Sequence, residues 1–188
     1  MRKFLLRFIV ISFLVLVSLA VGLIYDFICN KIDEKRYPLE FTDYVEMNAE
    51  YYNVPKDIIY SVIKVESNFG QNAVSSKGAV GLMQIMPDTF EWLLTKTGED
   101  HDISALNNPA VNIKYGTYYL SMLYDELAVW DTVYAAYNGG IGNVRKWLKD
   151  ENYTTNGRLT DIPFSETANY VVKVNEARKM YNKLYFEK

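Results

Sequence analysis

The chain reads as a mostly α-helical exported domain behind one N-terminal membrane-spanning helix. Three observations predict this class: an uncharged apolar run near the start, helix-opening prolines along the remainder, and no period-2 alternation long enough for a sheet. The apolar run, Phe8 to Tyr25 (FIVISFLVLVSLAVGLIY), is 18 residues without a charge behind the basic start MRKFLLR. That length suffices to cross a bilayer, and basic residues stay on the cytoplasmic side, so residues 1–7 are expected inside and the rest outside. A cleaved signal has a shorter apolar core and a small-residue exit. Here the one passable exit, Ser18-Leu19-Ala20, lies inside the run, so a retained anchor over 8–25 is the expectation. Asp26-Phe27-Ile28 ahead of Cys29 lacks the small residue of a lipid-attachment site.

Residues 26–43 (DFICNKIDEKRYPLEFTD) are charged, contain a proline, and read as a stem. Fully extended, such a stem reaches at most roughly 60 Å. The folded domain is expected over 44–188, a length that supports one core. Pro55 opens a helix over DIIYSVIKVES, and Pro87 opens one over DTFEWLLTK. Pro109 opens a long amphipathic stretch to about Leu127. Asp131 is placed as the cap of TVYAAYN, which stops at Gly139-Gly140, and Ser165 as the cap of a last helix running toward Phe186.

Charge and rare residues narrow the chemistry. The chain carries 20 Lys+Arg and 23 Asp+Glu; after Arg7 the balance is 17 to 23, a net of −6, with no basic footprint for nucleic acid. One cysteine, Cys29, forms no internal disulfide or cysteine cage, and one histidine, His101, supplies no paired-histidine zinc site. Zinc amidases and zinc peptidases are poor candidates, and a Cys/His nucleophile would have to draw on a cysteine beside the membrane. No cofactor and no metal is expected.

One carboxylate stands out. At about 100° per residue, Ile59, Val62, Ile63 and Glu66 fall in one arc of the helix after Pro55, with Lys56, Asp57, Tyr60 and Lys64 outside it. Glu66 also sits near the helix C-terminus, just before Asn68 and Gly70, where the macrodipole disfavours negative charge. Both effects raise its pKa, which suits an acid that holds a proton near neutral pH and donates it. The competing reading is a glutamate that bends to solvent at a frayed helix end. Downstream, Ser75 to Pro87 (SSKGAVGLMQIMP) puts two glycines three apart before an apolar run, as a closely packed loop requires.

Four blocks in order resemble the catalytic domain of lytic murein transglycosylases of the soluble-lytic-transglycosylase type, related in fold to goose-type lysozyme. Glu66-Ser67 with Asn68 and Phe69 is similar to the family's Glu-Ser block, and Gly78 to Pro87 to its GxxGLMQIMP block. Ala136 to Gly140 resembles AYNxG, and Glu166 to Val171 resembles ETxxYV. Singly, the third block reads equally as a helix C-cap, Glu166 as a first-turn acid and Tyr170 as core. The resemblance covers about residues 44–185 and implies a lysozyme-like helical domain with a substrate groove. It implies Glu66 as the catalytic acid, with Ser75, Gln84, Met86, Tyr137, Asn138, Glu166 and Tyr170 lining sugar subsites or holding the acid.

The implied reaction cleaves the β-1,4 bond between N-acetylmuramic acid and N-acetylglucosamine in peptidoglycan and leaves 1,6-anhydro-muramic acid ends. The alternatives within reach are a lysozyme-like hydrolase, which needs a second carboxylate, and a non-catalytic wall-binding component of an envelope assembly. The expected partners are peptidoglycan strands, the membrane through the N-terminal helix and, in some settings, envelope machinery. The expected state is a monomer at the cell membrane with its catalytic domain on the wall side.

Overall fold

The computed structural model describes residues 1–187; Lys188, the last residue of the expected domain, lies outside the described residues. The chain divides into two units, Met1–Pro38 and Leu39–Lys188. The first is one helix, α1 (Arg2–Arg36). It is long and apolar enough to cross a membrane. Leu14, Leu16 and Leu23 are exposed along it. Helix persists through the charged stretch to Arg36, so most of the expected stem is helical.

The second unit is helical: α2 (Thr42–Tyr52), α3 (Lys56–Ser67), α4 (Pro87–Thr97), a 3₁₀ turn (Ile103–Asn107), α5 (Pro109–Leu127), α6 (Trp130–Gly139), α7 (Ile141–Trp147) and α8 (Ser165–Tyr181), the last followed by a π-helical turn (Asn182–Phe186). The starts and stops follow local chemistry. Pro87 and Pro109 occupy first-turn positions, and Asn108 Oδ1 accepts from Ala110 N–H at 3.0 Å to cap α5. Gly98 (φ +70°) ends α4, and Gly140 (φ +84°) separates α6 from α7.

Two expected caps shift. Val129 and Phe164, not Asp131 and Ser165, stand at the N-caps of α6 and α8. Asp131 lies in the first turn, where its carboxylate accepts from Asn175 Nδ2 at 2.8 Å and ties α6 to α8. The sequence reading also lacked α2, α7 and a small hairpin, strands β1 (Thr154–Thr155) and β2 (Arg158–Leu159). Asn156-Gly157 at its tip takes positive φ at both residues, the type I′ geometry.

Helix α3 is the centre of the core. Ile58, Ile59, Val62 and Ile63 are fully buried, and α8 packs along it with Val174, Ala177 and Tyr181. Asp57 and Tyr60, expected outside the apolar arc, are buried as well. The contacts with α8 explain this: Arg178 Nε donates to Asp57 Oδ2 at 2.6 Å, and Tyr60 stacks on Tyr181 at 5.4 Å. An amphipathic arc thus understated the burial of a helix enclosed on more than one face.

Candidate active site

Glu66 occupies the last turn of α3, half-buried. The helix stops there because Asn68 and then Phe69 take left-handed conformations (φ 50° and 66°), while the Phe69 ring is buried near Tyr60. Ser67 Oγ donates to the Leu82 carbonyl at 2.7 Å, so the end of α3 is fastened to the segment that follows. Burial raises the Glu66 pKa to about 7. The Tyr170 hydroxyl opposes that rise; it is buried, faces the carboxyl, and has no partner within strict hydrogen-bond geometry among the described residues. Burial also holds the phenols of Tyr137 and Tyr170 well above the usual value, and the Glu66 charge adds to both.

The loop from Ala73 to Pro87 is built by its own backbone. Ser75 N–H donates to Ala79 O, Gly78 N–H to Ser75 O, and Ala79 N–H to Ser75 Oγ, each at 2.9 Å. Val80 and Ile85 exchange N–H···O bonds at 3.0 and 3.1 Å. Gly81, at φ +81°, has no room for a side chain: a Cβ there would lie 2.2 Å from Asn112 Nδ2 and 2.5 Å from Leu106 O.

Asn112 is the hub that the sequence reading passed over. Fully buried in α5, it accepts from Met83 N–H at 2.7 Å and donates to Val80 O at 2.9 Å and Leu106 O at 2.8 Å. A signal was available, since Asn112 shares the i, i+4, i+8 stripe of Gly116 and Leu120 and is a polar residue on an apolar face.

The expected site residues fall into three settings. Gln84, Met86, Tyr137 and Asn138, with Thr89 and Tyr119, wall a cavity of about 240 Å³. Asn138 and Glu166, with Lys77 and Phe164, wall a second of about 450 Å³, and the two meet at Asn138 and Gly139 to form a groove. Glu66 and Tyr170 line neither cavity but interact electrostatically with each other and with Tyr137, and Ser75 closes its own turn, outside both walls.

Several of these side chains are already engaged. Gln84 Nε2 donates to Ala73 O and Gly81 O at 3.0 and 2.8 Å, leaving only its carbonyl for a ligand. The Tyr137 hydroxyl donates to Met83 O at 2.8 Å. Asn138 Oδ1 accepts from Thr167 Oγ1 at 2.9 Å, which leaves its amide N–H groups toward the groove. Glu166 pairs with Lys77 at 3.0 Å, both exposed. Met86 is exposed on the groove wall. Larger cavities, of about 660 and 620 Å³, contain none of these residues, so chemistry and not size selects the site.

Residues 43–158 match the family model described as the transglycosylase SLT domain. The chain belongs to the SLT transglycosylase family. It is 31% identical over 166 residues to membrane-bound lytic murein transglycosylase C of Actinobacillus pleuropneumoniae serotype 5b, covering 76% of this chain and 46% of that one. To the soluble lytic murein transglycosylase of Escherichia coli K12 it is 33% identical over 156 residues, 75% of this chain and 23% of that one. The lytic transglycosylase Slt of Pseudomonas aeruginosa, solved as an inactive glutamate-to-glutamine mutant, superposes with a TM-score of 0.72 at 31% identity, over 82% of this chain and 26% of that one. This SLT domain therefore has the lysozyme-like helical fold of its family, and the chain spans about half or less of the relatives it matches.

Proposed function

We propose that this SLT domain is a peptidoglycan lytic transglycosylase. The observation that carries the reading is a half-buried carboxyl, Glu66, whose pKa of about 7 keeps about half of it protonated at neutral pH, within electrostatic reach of Tyr137 on the groove wall. Glu66 protonates the glycosidic oxygen between N-acetylmuramic acid and N-acetylglucosamine, and the C1–O bond breaks. The substrate's own 2-acetamido oxygen stabilises the oxocarbenium-like C1. Glu66, now a carboxylate, takes the proton of the muramoyl 6-hydroxyl as that oxygen bonds to C1, which closes the 1,6-anhydro ring without water. The proton balance returns Glu66 to its starting form.

Glycosidases commonly use a second carboxylate as nucleophile or base. Among the described residues none perturbs Glu66, which favours assistance by the substrate over a hydrolytic partner. A purely wall-binding role has no need for a protonated buried acid. Met86 and Tyr119 offer apolar faces for sugar rings, and the Asn138 amide and Gln84 carbonyl offer polar contacts for acetamido and hydroxyl groups. Ser75 shapes the loop, Tyr170 tunes the acid, and Glu166 with Lys77 borders the far end of the groove. All these groups come from one chain, so a monomer suffices.

The same reading places residues 1–7 in the cytoplasm, 8–25 across the membrane, 26–43 as a stem and 44–188 on the wall side. Basic residues flank the apolar run on both sides, Arg2, Lys3 and Arg7 before it and Lys31, Lys35 and Arg36 after it, so they balance. The orientation rests on the location of peptidoglycan outside the membrane. A helical stem advances only about 1.5 Å per residue, which confines cleavage to the wall nearest the membrane, where envelope assemblies must cross.

Mass spectrometry of fragments released from purified peptidoglycan by the native chain and by Glu66→Gln tests the reaction. Anhydro-muropeptides from the native chain alone are the expected result. Reducing ends would make it a hydrolase, and no fragments from the folded native chain would leave a wall-binding module.

A further inference from the structure

The cavity of about 620 Å³ between α2 and α5 shares no residue with the two cavities of the candidate groove. Three tyrosines build one side of it. Tyr51 meets Tyr52 edge-to-face at 4.8 Å, Tyr52 meets Tyr118 at 5.2 Å with the rings 31° apart, and Met47 extends the apolar surface. Tyr51 is 79% exposed and Met47, one turn earlier, 57%, so this end of the surface is open to a ligand. The other end is fixed to the core, where Ser121 Oγ of α5 donates to the Tyr52 carbonyl at 2.9 Å.

The charges facing the rings are already matched. The Glu99 carboxylate accepts from Lys114 Nζ, from the Tyr115 hydroxyl at 2.9 Å and from His101 Nε2 at 3.2 Å. The hydroxyls of Tyr51, Tyr52 and Tyr118, by contrast, make no hydrogen bond among the described residues. Burial lifts the Tyr52 phenol to about 12, so it keeps its proton and remains a donor. An ionised ligand meets no unmatched charge here, and a wholly apolar one leaves the phenols without partners. A pyranose fits both features, with C–H bonds to lie on the rings and hydroxyls to meet the phenols.

We infer that this surface is a second glycan-binding site, on which an N-acetylglucosamine unit, the sugar without a lactyl acid, lies against Tyr51 and Met47 with its hydroxyls toward Tyr52 and Tyr118. The choice of peptidoglycan as the glycan rests on the proposed function; the ring-and-hydroxyl chemistry of the site does not. A strand held here as well as in the groove is bound by two contacts, which raises its effective concentration at Glu66.

The test is a binding titration with the full chain in detergent micelles, in its Glu66→Gln form so that ligand is not consumed. The probes are purified peptidoglycan sacculi and the same glycan strands freed of peptide by an amidase. Adding Tyr51→Ala is expected to weaken binding to both roughly fivefold or more, and Tyr51→Trp, which keeps a ring, to restore it. Either substitution at so exposed a position keeps the fold, checked by circular dichroism. In the chain with Glu66 intact, Tyr51→Ala is expected to leave cleavage of a soluble peptidoglycan tetrasaccharide unchanged, since so short a substrate fills only the groove. Unaltered binding in Tyr51→Ala overturns the proposal and leaves the surface to a protein partner or a second copy. A loss on sacculi but not on peptide-free strands also overturns it, as does an equal loss of tetrasaccharide cleavage, which would make Tyr51 part of the groove. Tyr51-dependent binding by a native chain that releases no fragments sinks the cleavage reading and leaves the second site standing.

Discussion

The Tyr137 hydroxyl reaches from α6 to donate a 2.8 Å hydrogen bond to the Met83 carbonyl in the Gly78–Pro87 loop. A phenol that the resemblance assigned to substrate contact or to holding the acid therefore holds the loop, with its ring on the groove wall. Tyr137→Phe leaves the Met83 carbonyl without this donor, and removing one partner of such a bond costs about 1–3 kcal/mol. The expected outcome is a lower melting temperature and a raised KM with a smaller change in kcat. A fall in kcat alone would assign the hydroxyl to the reacting atoms.

Asn112 and Gly81 form one joint and are expected to fail together. Asn112→Ala leaves Met83 N–H, Val80 O and Leu106 O without their side-chain partner in the interior, a loss of about 3 kcal/mol or more. Gly81→Ala drives a methyl into the same amide and into Leu106 O from a positive-φ backbone. Both variants should melt early and lose wall lysis, as thermal melts and turbidity assays read. A Gly81→Ala protein with native stability would mean that the loop sits further from α5 than the structure places it.

How much of this was legible follows from which interactions are local. The helices after Pro55, Pro87 and Pro109 are marked by proline at the N-cap (Pro55) or the first turn (Pro87, Pro109) and by the apolar spacing, and they stand close to the expected places. Glu66 was singled out by two local facts, its arc and its helix end. The hairpin at Asn156-Gly157 carried a turn signal that went unread. What spacing could not show is where a side chain's hydrogen bonds go. Gln84 turns its amide inward to Ala73 and Gly81, and Asp57 is buried by Arg178, a residue 121 positions away. Long-range partners of that kind are set by the packing of α8 on α3, which no local pattern records.

The raised pKa of Glu66 has a consequence for stability. In the unfolded chain the carboxyl titrates near its ordinary value of 4.5, and in the fold near about 7, so between those values the native state binds more proton than the unfolded state. Stability from this group is present below about pH 4.5 and is lost as pH rises through about 7, by at most about 3 kcal/mol for a half-buried group. Glu66→Gln has no such slope. Melts of both forms at pH 5 and pH 8 should show the variant gaining on the native chain at the higher pH. A constant difference across that window would mean that Glu66 is well solvated.

The rate profile should carry the same group with the opposite use. The acid must hold its proton in the free enzyme, so kcat/KM should fall as pH rises through about 7. Tyr170 supplies the control. Its hydroxyl favours the Glu66 carboxylate and so lowers the pKa that burial raises. Tyr170→Phe removes that support and deletes a buried hydroxyl that lacks a strict partner, so the fold should hold while the falling limb moves to higher pH. Activity below the limb should change less than the position of the limb. A limb that stays in place while kcat collapses at every pH would instead put the Tyr170 hydroxyl in contact with the reacting sugar.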